Sequence, residues 1–118
     1  MKLEDLRLTA AKSRDAVYAS DLAALGRAMI ENTEAQARLH PDLVSAEGHQ
    51  VIELAQEHGA LGCKVNGAGG DGGSLTLLVE AESDQKRALV SALEVANPLF
   101  QPIPIYLSRF GLRVWNSP

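Results

Sequence analysis

Residues 59–80 of this 118-residue chain, GALGCKVNGAGGDGGSLTLLVE, carry the clearest indication of its fold. Residues 61–66 (LGCKVN) place an apolar side chain at every second position, which predicts a β-strand with one buried face. Residues 74–80 (SLTLLVE) are also strand-like. Between them, residues 67–73 (GAGGDGG) contain five glycines in seven positions. The sequence therefore predicts an antiparallel hairpin with a glycine-rich connection.

Three helices are predicted before the hairpin, of which the first two cover residues 3–18 and about 21 to 39. The first segment contains neither glycine nor proline, and its apolar residues recur near helical spacing. Ser20 is expected to be the N-cap of the second helix. Pro41 is expected to end it, because the residue before a proline avoids the α conformation.

The remaining elements complete an α+β pattern. Ser45 is expected to cap a third helix, and Gly59 to stop it. A fourth helix is predicted over 84–96, followed by short strands at 103–107 and 112–114, where apolar residues alternate. With no repeat or internal linker, the sequence predicts a single α+β domain over 1–118, with an antiparallel sheet covered by helices.

Composition excludes several classes of protein. The net charge of −4 and pI near 5.3 argue against non-specific binding to nucleic acid or anionic lipid. No apolar run reaches the length of a membrane span, and the first residues do not resemble a secretory signal, so we expect a cytoplasmic protein. Cys63 alternates with apolar neighbours and is predicted to be buried. The three histidines are too dispersed for a metal site, and none is predicted.

The glycine-rich connection has two interpretations. It is either a mobile hairpin tip or a loop whose backbone needs positive φ and passes close to a bulky or anionic group. It is not a Walker A loop, because the G-K-[ST] ending is absent and it joins strand to strand. It matches G-x-G-x-x-G once, but no helix follows to receive a pyrophosphate.

Residues 59–73 (GALGCKVNGAGGDGG) resemble the third motif of GHMP kinases, G-A-x-G-x-K-x-[ST]-G-A-G-G-G-G. That superfamily includes galactokinase, homoserine kinase, mevalonate kinase and heptose kinases. Residues 19–44 are similar to the helix pair that these kinases carry before the motif, and the elements after residue 83 follow in the expected order. The resemblance implies a ferredoxin-like C-terminal domain that packs on an N-terminal ATP-binding domain.

The resemblance also implies a role for the loop near the nucleotide's phosphates. It assigns backbone amides there to Gly67, Ala68, Gly69, Gly70, Gly72 and Gly73, with Asp71 among them. ATP and Mg²⁺ are implied for the complete enzyme, and no cofactor is expected for this chain alone. Oriented amide groups suit phosphoryl transfer, which relies on positioning and charge stabilisation.

Two positions depart from the family's motif. Asn66 stands where serine or threonine is usual, and Asp71 where glycine is usual. A carboxylate beside a triphosphate is repulsive unless Mg²⁺ or a cation such as Lys64 intervenes. Direct binding of phosphate by the loop is therefore weakened in this chain.

The phosphate-wrapping motif of the family, P-x-x-x-G-L-G-S-S-A, has no counterpart here, and no catalytic residue is assigned. We therefore expect the C-terminal half of a small-molecule kinase, inactive alone, whose partner is an N-terminal kinase domain from the same or an adjacent gene. The alternative is a non-catalytic ferredoxin-like module that binds a ligand or a partner protein.

A polar column on the second helix is the candidate for contact with the substrate. Asn32, Gln36 and His40 recur at four-residue spacing and continue an apolar stripe, which indicates either entry into a cleft or a solvated helix end. Lys64 and Asn66 are further candidates on the substrate side. Residues 32–44 are more similar to heptose- and fucose-type kinases than to the mevalonate branch, which implies a sugar substrate.

A homodimer is also expected. The strand that commonly opens this domain in the family has no counterpart in the chain, so a sheet edge should be exposed to pairing. Either residues 103–107 fold back onto that edge, or two copies pair symmetrically. The prolines at 102 and 104 remove backbone donors, which favours the dimer.

Overall fold

The structure is a computed structural model that describes residues 2–67, 70 and 73–117. In chain order, its elements are α1 (Lys2–Tyr18), α2 (Leu22–Leu39), a short 3-10 helix (Pro41–Leu43), α3 (Ala46–Glu57), β1 (Gly62–Asn66), β2 (Ser74–Leu78) and α4 (Ser83–Ala96). The predicted α+β class, with an antiparallel sheet covered by helices, is confirmed. None of the helices in the described ranges is long and apolar enough to cross a membrane.

The start of α2 differs from the prediction by one residue. Ser20 has a positive φ of 54° in the turn that follows α1, so it lacks the extended backbone that an N-cap requires. Asp21 has that conformation, and its carboxylate accepts a hydrogen bond of 2.9 Å from the Ala24 amide. The prediction of Ser20 as the cap was therefore wrong, because the turn geometry moves the capping conformation to the next residue.

The boundaries of α3 follow the predicted chemistry. The Ser45 hydroxyl accepts a hydrogen bond of 3.0 Å from the Gly48 amide, which confirms it as the N-cap. Gly59 follows the helix with φ of 73°, the left-handed conformation that glycine adopts without steric cost. Both ends of α3 are thus set by local sequence.

The two strands pair antiparallel in a single register. Cys63 lies opposite Leu77 and Val65 opposite Leu75, so the apolar residues of both strands share one face. Cys63 and Val65 are each 2% exposed, and burial raises the pKa of the Cys63 thiol. The prediction of a buried Cys63 is confirmed.

Helix α2 packs unusually close to the start of β1. A Cβ on Gly26 would lie 2.1 Å from the Leu61 carbonyl oxygen, and a Cβ on Gly62 would lie 2.5 Å from the Gly26 Cα. Farther along the same contact, the buried Thr33 hydroxyl accepts from the Val65 amide (3.2 Å) and donates to the Cys63 carbonyl (3.3 Å). Backbone proximity and one buried hydroxyl therefore fix the strand against the helix.

The core is built mainly from small side chains. Among the residues that the structure describes, nine apolar ones are buried: Ala16, Ala28, Met29, Ala35, Val44, Ala55, Cys63, Val65 and Leu89. Alanine and glycine allow elements to approach closely, whereas a fully buried large side chain contributes roughly 1.5–3 kcal/mol by itself. The stability of this chain therefore depends on close contact between α1, α2 and β1 more than on large apolar groups.

The C-terminal segment contradicts the prediction of two further strands. Neither 103–107 nor 112–114 forms a strand, and the described sheet has two strands, β1 and β2. Leu107 is 101% exposed and Leu112 is 93% exposed. A segment with alternating apolar residues forms a strand only where it can pair with the edge of a sheet. Pro102 and Pro104 lack the backbone N–H groups that would donate hydrogen bonds in such pairing.

Candidate functional site

The glycine loop leaves β1 with a left-handed backbone. Within its described residues, Gly67, Gly70 and Gly73 have φ of 63°, 53° and 91°. A Cβ on Gly67 or Gly70 would meet nothing within 4 Å, so glycine is required there by backbone conformation and not by crowding within the chain. The predicted phosphate-side residues Ala68, Gly69, Asp71 and Gly72 lie outside the described residues.

A side chain from α2 fixes the first residue of this loop. Gln36 is 9% exposed, and its amide nitrogen donates to the Gly67 carbonyl oxygen over 2.5 Å. Because Gln36 projects from a helix that is itself anchored on β1, the loop begins from a rigid position. Gln36, which the sequence placed on the substrate side, thus contacts the glycine loop directly.

Lys64 forms the polar centre of the site. Its ammonium donates to the Asn32 side-chain oxygen (2.7 Å) and to the Val65 carbonyl (3.0 Å). Asn32 in turn donates through its amide nitrogen to the Thr9 hydroxyl (2.7 Å), and Thr9 donates to the Leu6 carbonyl (2.8 Å). This chain of hydrogen bonds joins α1, α2 and β1 and holds the Lys64 side chain in one place.

The charge of Lys64 is partly withdrawn from water. Partial burial, which disfavours the charged form, lowers the pKa of the Lys64 ammonium. Both of its hydrogen-bond acceptors in the described part of the chain are neutral oxygens, and none of the ion pairs found there includes it. The structure therefore presents a partly buried cation whose charge no described carboxylate offsets.

Lys64, Asn32, Gln36 and Gly67 line an open groove of about 370 Å³, which we call the Lys64 groove. Its apolar wall is formed by Leu6, Leu39 and Leu43. Three of the predicted substrate-side residues are thus brought together beside the first glycine of the loop. A groove with one cation, two amides and an apolar wall suits a small ligand with a polar end.

Two predicted substrate-side residues do not line the Lys64 groove. The His40 ring nitrogen accepts a hydrogen bond of 3.1 Å from the Asp42 amide and caps the 3-10 helix. The Asn66 amide lies on the exposed side of the hairpin, 3.2 Å from the Ser74 hydroxyl and 3.0 Å from the Thr76 hydroxyl. Both residues therefore have local structural contacts.

Sequence reasoning missed Thr9 and the leucine wall of the groove. Thr9 bonds to a residue 23 positions away, and no periodicity within α1 marks that contact. Thr9 is only 4% exposed, and this burial is visible only once α1 and α2 are packed. Leu39 and Leu43 flank Pro41, so they belong to different helices and share no sequence pattern.

The profile of the family described as "GHMP kinases C terminal" matches residues 13–95. This span contains α2, α3, both strands, the glycine loop and every predicted site residue. The chain belongs to the GHMP kinase family, as a C-terminal domain. The resemblance inferred from residues 59–73 is thereby confirmed.

A solved structure is similar to this GHMP kinase C-terminal domain. It is described as the crystal structure of L. major mevalonate kinase in complex with R-mevalonate, with 28% sequence identity and a TM-score of 0.68. The match covers 80% of this chain and 28% of that chain, so the chain spans less than a third of the protein it matches. A comparison with curated proteins found no match.

Proposed function

We propose that this GHMP kinase C-terminal domain supplies one half of an ATP-dependent small-molecule kinase, with its glycine loop near the nucleotide's phosphates. The observation that carries the proposal is the left-handed Gly67, fixed by Gln36 beside the Lys64 groove, in a chain of this family. A rigid loop start next to a cation and a groove suits the positioning of a phosphoryl donor and an acceptor.

The described loop residues fit a phosphate group. Positive φ at Gly67, Gly70 and Gly73 suits a loop whose backbone amides bind an anion, and the open space around Gly67 and Gly70 would let a bulky anion approach. ATP would supply the transferred phosphoryl group, and Mg²⁺ would neutralise its charge. Lys64 would add a fixed positive charge at the base of the loop, which offsets the repulsion expected from Asp71.

The partner in this proposal is an N-terminal kinase domain, encoded in the same or an adjacent gene, that carries the phosphate-wrapping motif P-x-x-x-G-L-G-S-S-A. Support comes from the match to a protein of which this chain covers 28%. The remainder of a complete kinase would provide the nucleotide pocket and the catalytic side chain.

The acceptor is proposed to be a small alcohol. The similarity of residues 32–44 to heptose- and fucose-type kinases favours a sugar, whereas the matched solved structure is a mevalonate kinase. The two differ in charge, because mevalonate carries a carboxylate and a simple sugar is neutral. A cytoplasmic location and the absence of nucleic-acid partners remain predictions.

A non-catalytic binding module is the second candidate. The Lys64 groove supports a binding module and a kinase equally well, since a cation with an apolar wall can bind a ligand without transferring a group. The two candidates differ in their need for a second domain. A binding module would bind its ligand alone with undiminished affinity, whereas a kinase half requires its partner for turnover.

The isolated chain is expected to transfer no phosphate from ATP to any acceptor. No residue in it is assigned to abstract the acceptor's proton, and its sequence does not contain the phosphate-wrapping motif. The measurement is incubation with labelled ATP, Mg²⁺ and a panel of sugars and mevalonate, for this chain, for the polypeptide with the wrapping motif, and for the two together.

Turnover that appears only on mixing supports the kinase proposal. Turnover by this chain alone, after removal of contaminating kinase, or a mixture that binds but never reacts, contradicts it. Gly70→Ala tests the role of the loop in this turnover. It introduces a side chain at φ of 53° and should reduce turnover of the mixture without unfolding the chain.

A homodimer is expected for the chain when it is alone in solution. β2 pairs only with β1 in the described sheet, and the apolar side chains of the C-terminal segment remain exposed, including Tyr106 at 93% and Trp115 at 78%. Such surfaces favour association with a second copy. Sedimentation equilibrium over a wide concentration range should show twice the chain mass, whereas 12.6 kDa throughout would contradict a dimer.

A further inference from the structure

We infer that the Lys64 groove binds the anionic end of a small ligand, with the Lys64 ammonium as its counter-charge and the leucine wall against its apolar part. This inference deepens the proposed function, since it names the ligand's chemistry at the same site. It also holds for a chain that never transfers phosphate. The anion is a carboxylate or a phosphate, and the experiment below distinguishes them.

The first argument is the state of the Lys64 charge. A partly buried cation costs free energy unless an anion or strong hydrogen bonds offset the lost hydration. Its two described acceptors, the Asn32 and Val65 oxygens, are neutral. An ammonium has three N–H donors, and these two contacts use two of them. The third donor needs an acceptor outside these contacts. An anionic ligand in the groove would satisfy both the donor and the charge.

The second argument is that the ammonium is held in place before any ligand binds. The Lys64–Asn32–Thr9 hydrogen bonds restrict a side chain that otherwise has many rotamers, so little conformational entropy remains to be lost on binding. A surface lysine without such contacts would bind an anion weakly because it would first have to be ordered. The arrangement is therefore suited to recognition of charge at one position.

The third argument is the apolar wall of the groove. Leu6, Leu39 and Leu43 are half-buried and line the same groove as Lys64. Inorganic ions in water gain nothing from such a wall, whereas a ligand with several carbon atoms gains affinity from the apolar surface that it removes from water. The site therefore favours an organic anion over a simple ion.

The test is a set of titrations of the full chain followed by amide NMR shifts of the groove residues. The probes are hexanoate, its neutral analogue hexanamide, and hexyl phosphate, which has a comparable apolar tail. Hexanoate is expected to bind at least about tenfold more tightly than hexanamide, because a hydrogen bond from the ammonium is stronger to a carboxylate than to a neutral amide. Tighter binding of hexanoate than of hexyl phosphate assigns the site to a carboxylate, and the reverse order assigns it to a phosphate; either supports an anion site.

Two substitutions separate a specific site from general attraction of anions. Lys64→Gln keeps a hydrogen-bonding side chain without the charge and should weaken the preferred anion about tenfold or more. Lys86→Gln makes the same charge change on the exposed face of α4 and should leave affinity unchanged. Equal loss in both variants, equal binding of hexanoate and hexanamide, or no saturable shift in the groove with any probe would overturn the inference.

This outcome is distinguishable from failure of the kinase proposal. If the mixture of the two domains shows turnover but the groove binds no anion, the inference fails and the kinase assignment stands. If the groove binds an anion through Lys64 and no mixture shows turnover, the inference stands and the binding module becomes the better description of the chain.

Discussion

Replacing Gly26 with alanine is expected to destabilise this domain by at least about 3 kcal/mol and to leave little folded chain in solution. The new Cβ would lie 2.1 Å from the Leu61 carbonyl oxygen, a distance that only a shift of α2 away from β1 can relieve. Both partners in the contact are backbone, so no side-chain rotation helps. Overpacking of this kind ordinarily costs about 1–3 kcal/mol, and a backbone clash lies at the upper end or beyond.

The sign of this effect opposes what helix propensity predicts. Alanine in the interior of a helix is favoured over glycine by about 1 kcal/mol, so an exposed site would be stabilised by the same change. Gly48→Ala in α3 is the matched control, because its Cβ would meet only side-chain atoms, the Ser45 oxygen at 3.3 Å and a Val44 methyl at 3.4 Å. Urea unfolding followed by circular dichroism measures both variants.

The expected result is a large loss for Gly26→Ala and a change within about 1 kcal/mol for Gly48→Ala. Equal stability of the two variants would show that α2 and β1 do not approach as closely as the structure places them. The reciprocal variant Gly62→Ala tests the same contact from the strand, since its Cβ would lie 2.6 Å from the Gly26 carbonyl oxygen.

Replacing Thr33 with valine is expected to lower the free energy of unfolding by about 2–4 kcal/mol. Valine has nearly the shape of threonine, so the change removes the hydroxyl and leaves the packing volume intact. The Val65 amide and the Cys63 carbonyl would then lose their bonds to α2 in a buried position. Each buried polar group left without a partner costs about 1–3 kcal/mol.

Thr33→Ser is the control for this prediction. It keeps the hydroxyl and removes one methyl group, so it should cost only about 1 kcal/mol. Chemical denaturation of the three proteins under the same conditions gives the comparison. A serine variant that is less stable than the valine variant would mean that packing, and not the hydrogen bonds to β1, is the main contribution of Thr33.

Local chemistry accounts for the elements that the sequence predicted well. Ser45 and Gly59 set the ends of α3 through a side-chain cap and a left-handed residue, and both effects act within a few residues of the chain. The alternation in β1 likewise needs only one buried face. These features were predictable because each depends on neighbours in sequence.

The same reasoning failed where a local pattern required a distant partner. The alternating apolar residues of 103–107 satisfy the strand pattern, but no described strand pairs with them, and they remain exposed. Ser20 is a suitable capping residue, yet the turn after α1 gives it a positive φ and makes Asp21 the cap. Residue type alone predicted neither the exposure of residues 103–107 nor the shift of the N-cap to Asp21.

In the candidate site, too, the sequence predicted individual residues, whereas packing decided which of them lie together. The sequence identified Asn32 and Gln36 through their helical spacing, and Lys64 through the family's motif. Which of the five substrate-side candidates share a groove was decided by packing, and His40 and Asn66 are excluded from it by their contacts with Asp42 and with Thr76.

Short motifs and periodicities in the sequence encode the family, the order of the elements from α1 to α4 and the position of the glycine loop. The packing of the elements was needed to reveal that Gly26 and Gly62 are contact residues, that Thr9 supports Lys64 through Asn32, and that three leucines line the same groove. These contacts join residues on different elements, often more than 20 positions apart, and the distances between them are set by how closely α1, α2 and β1 pack.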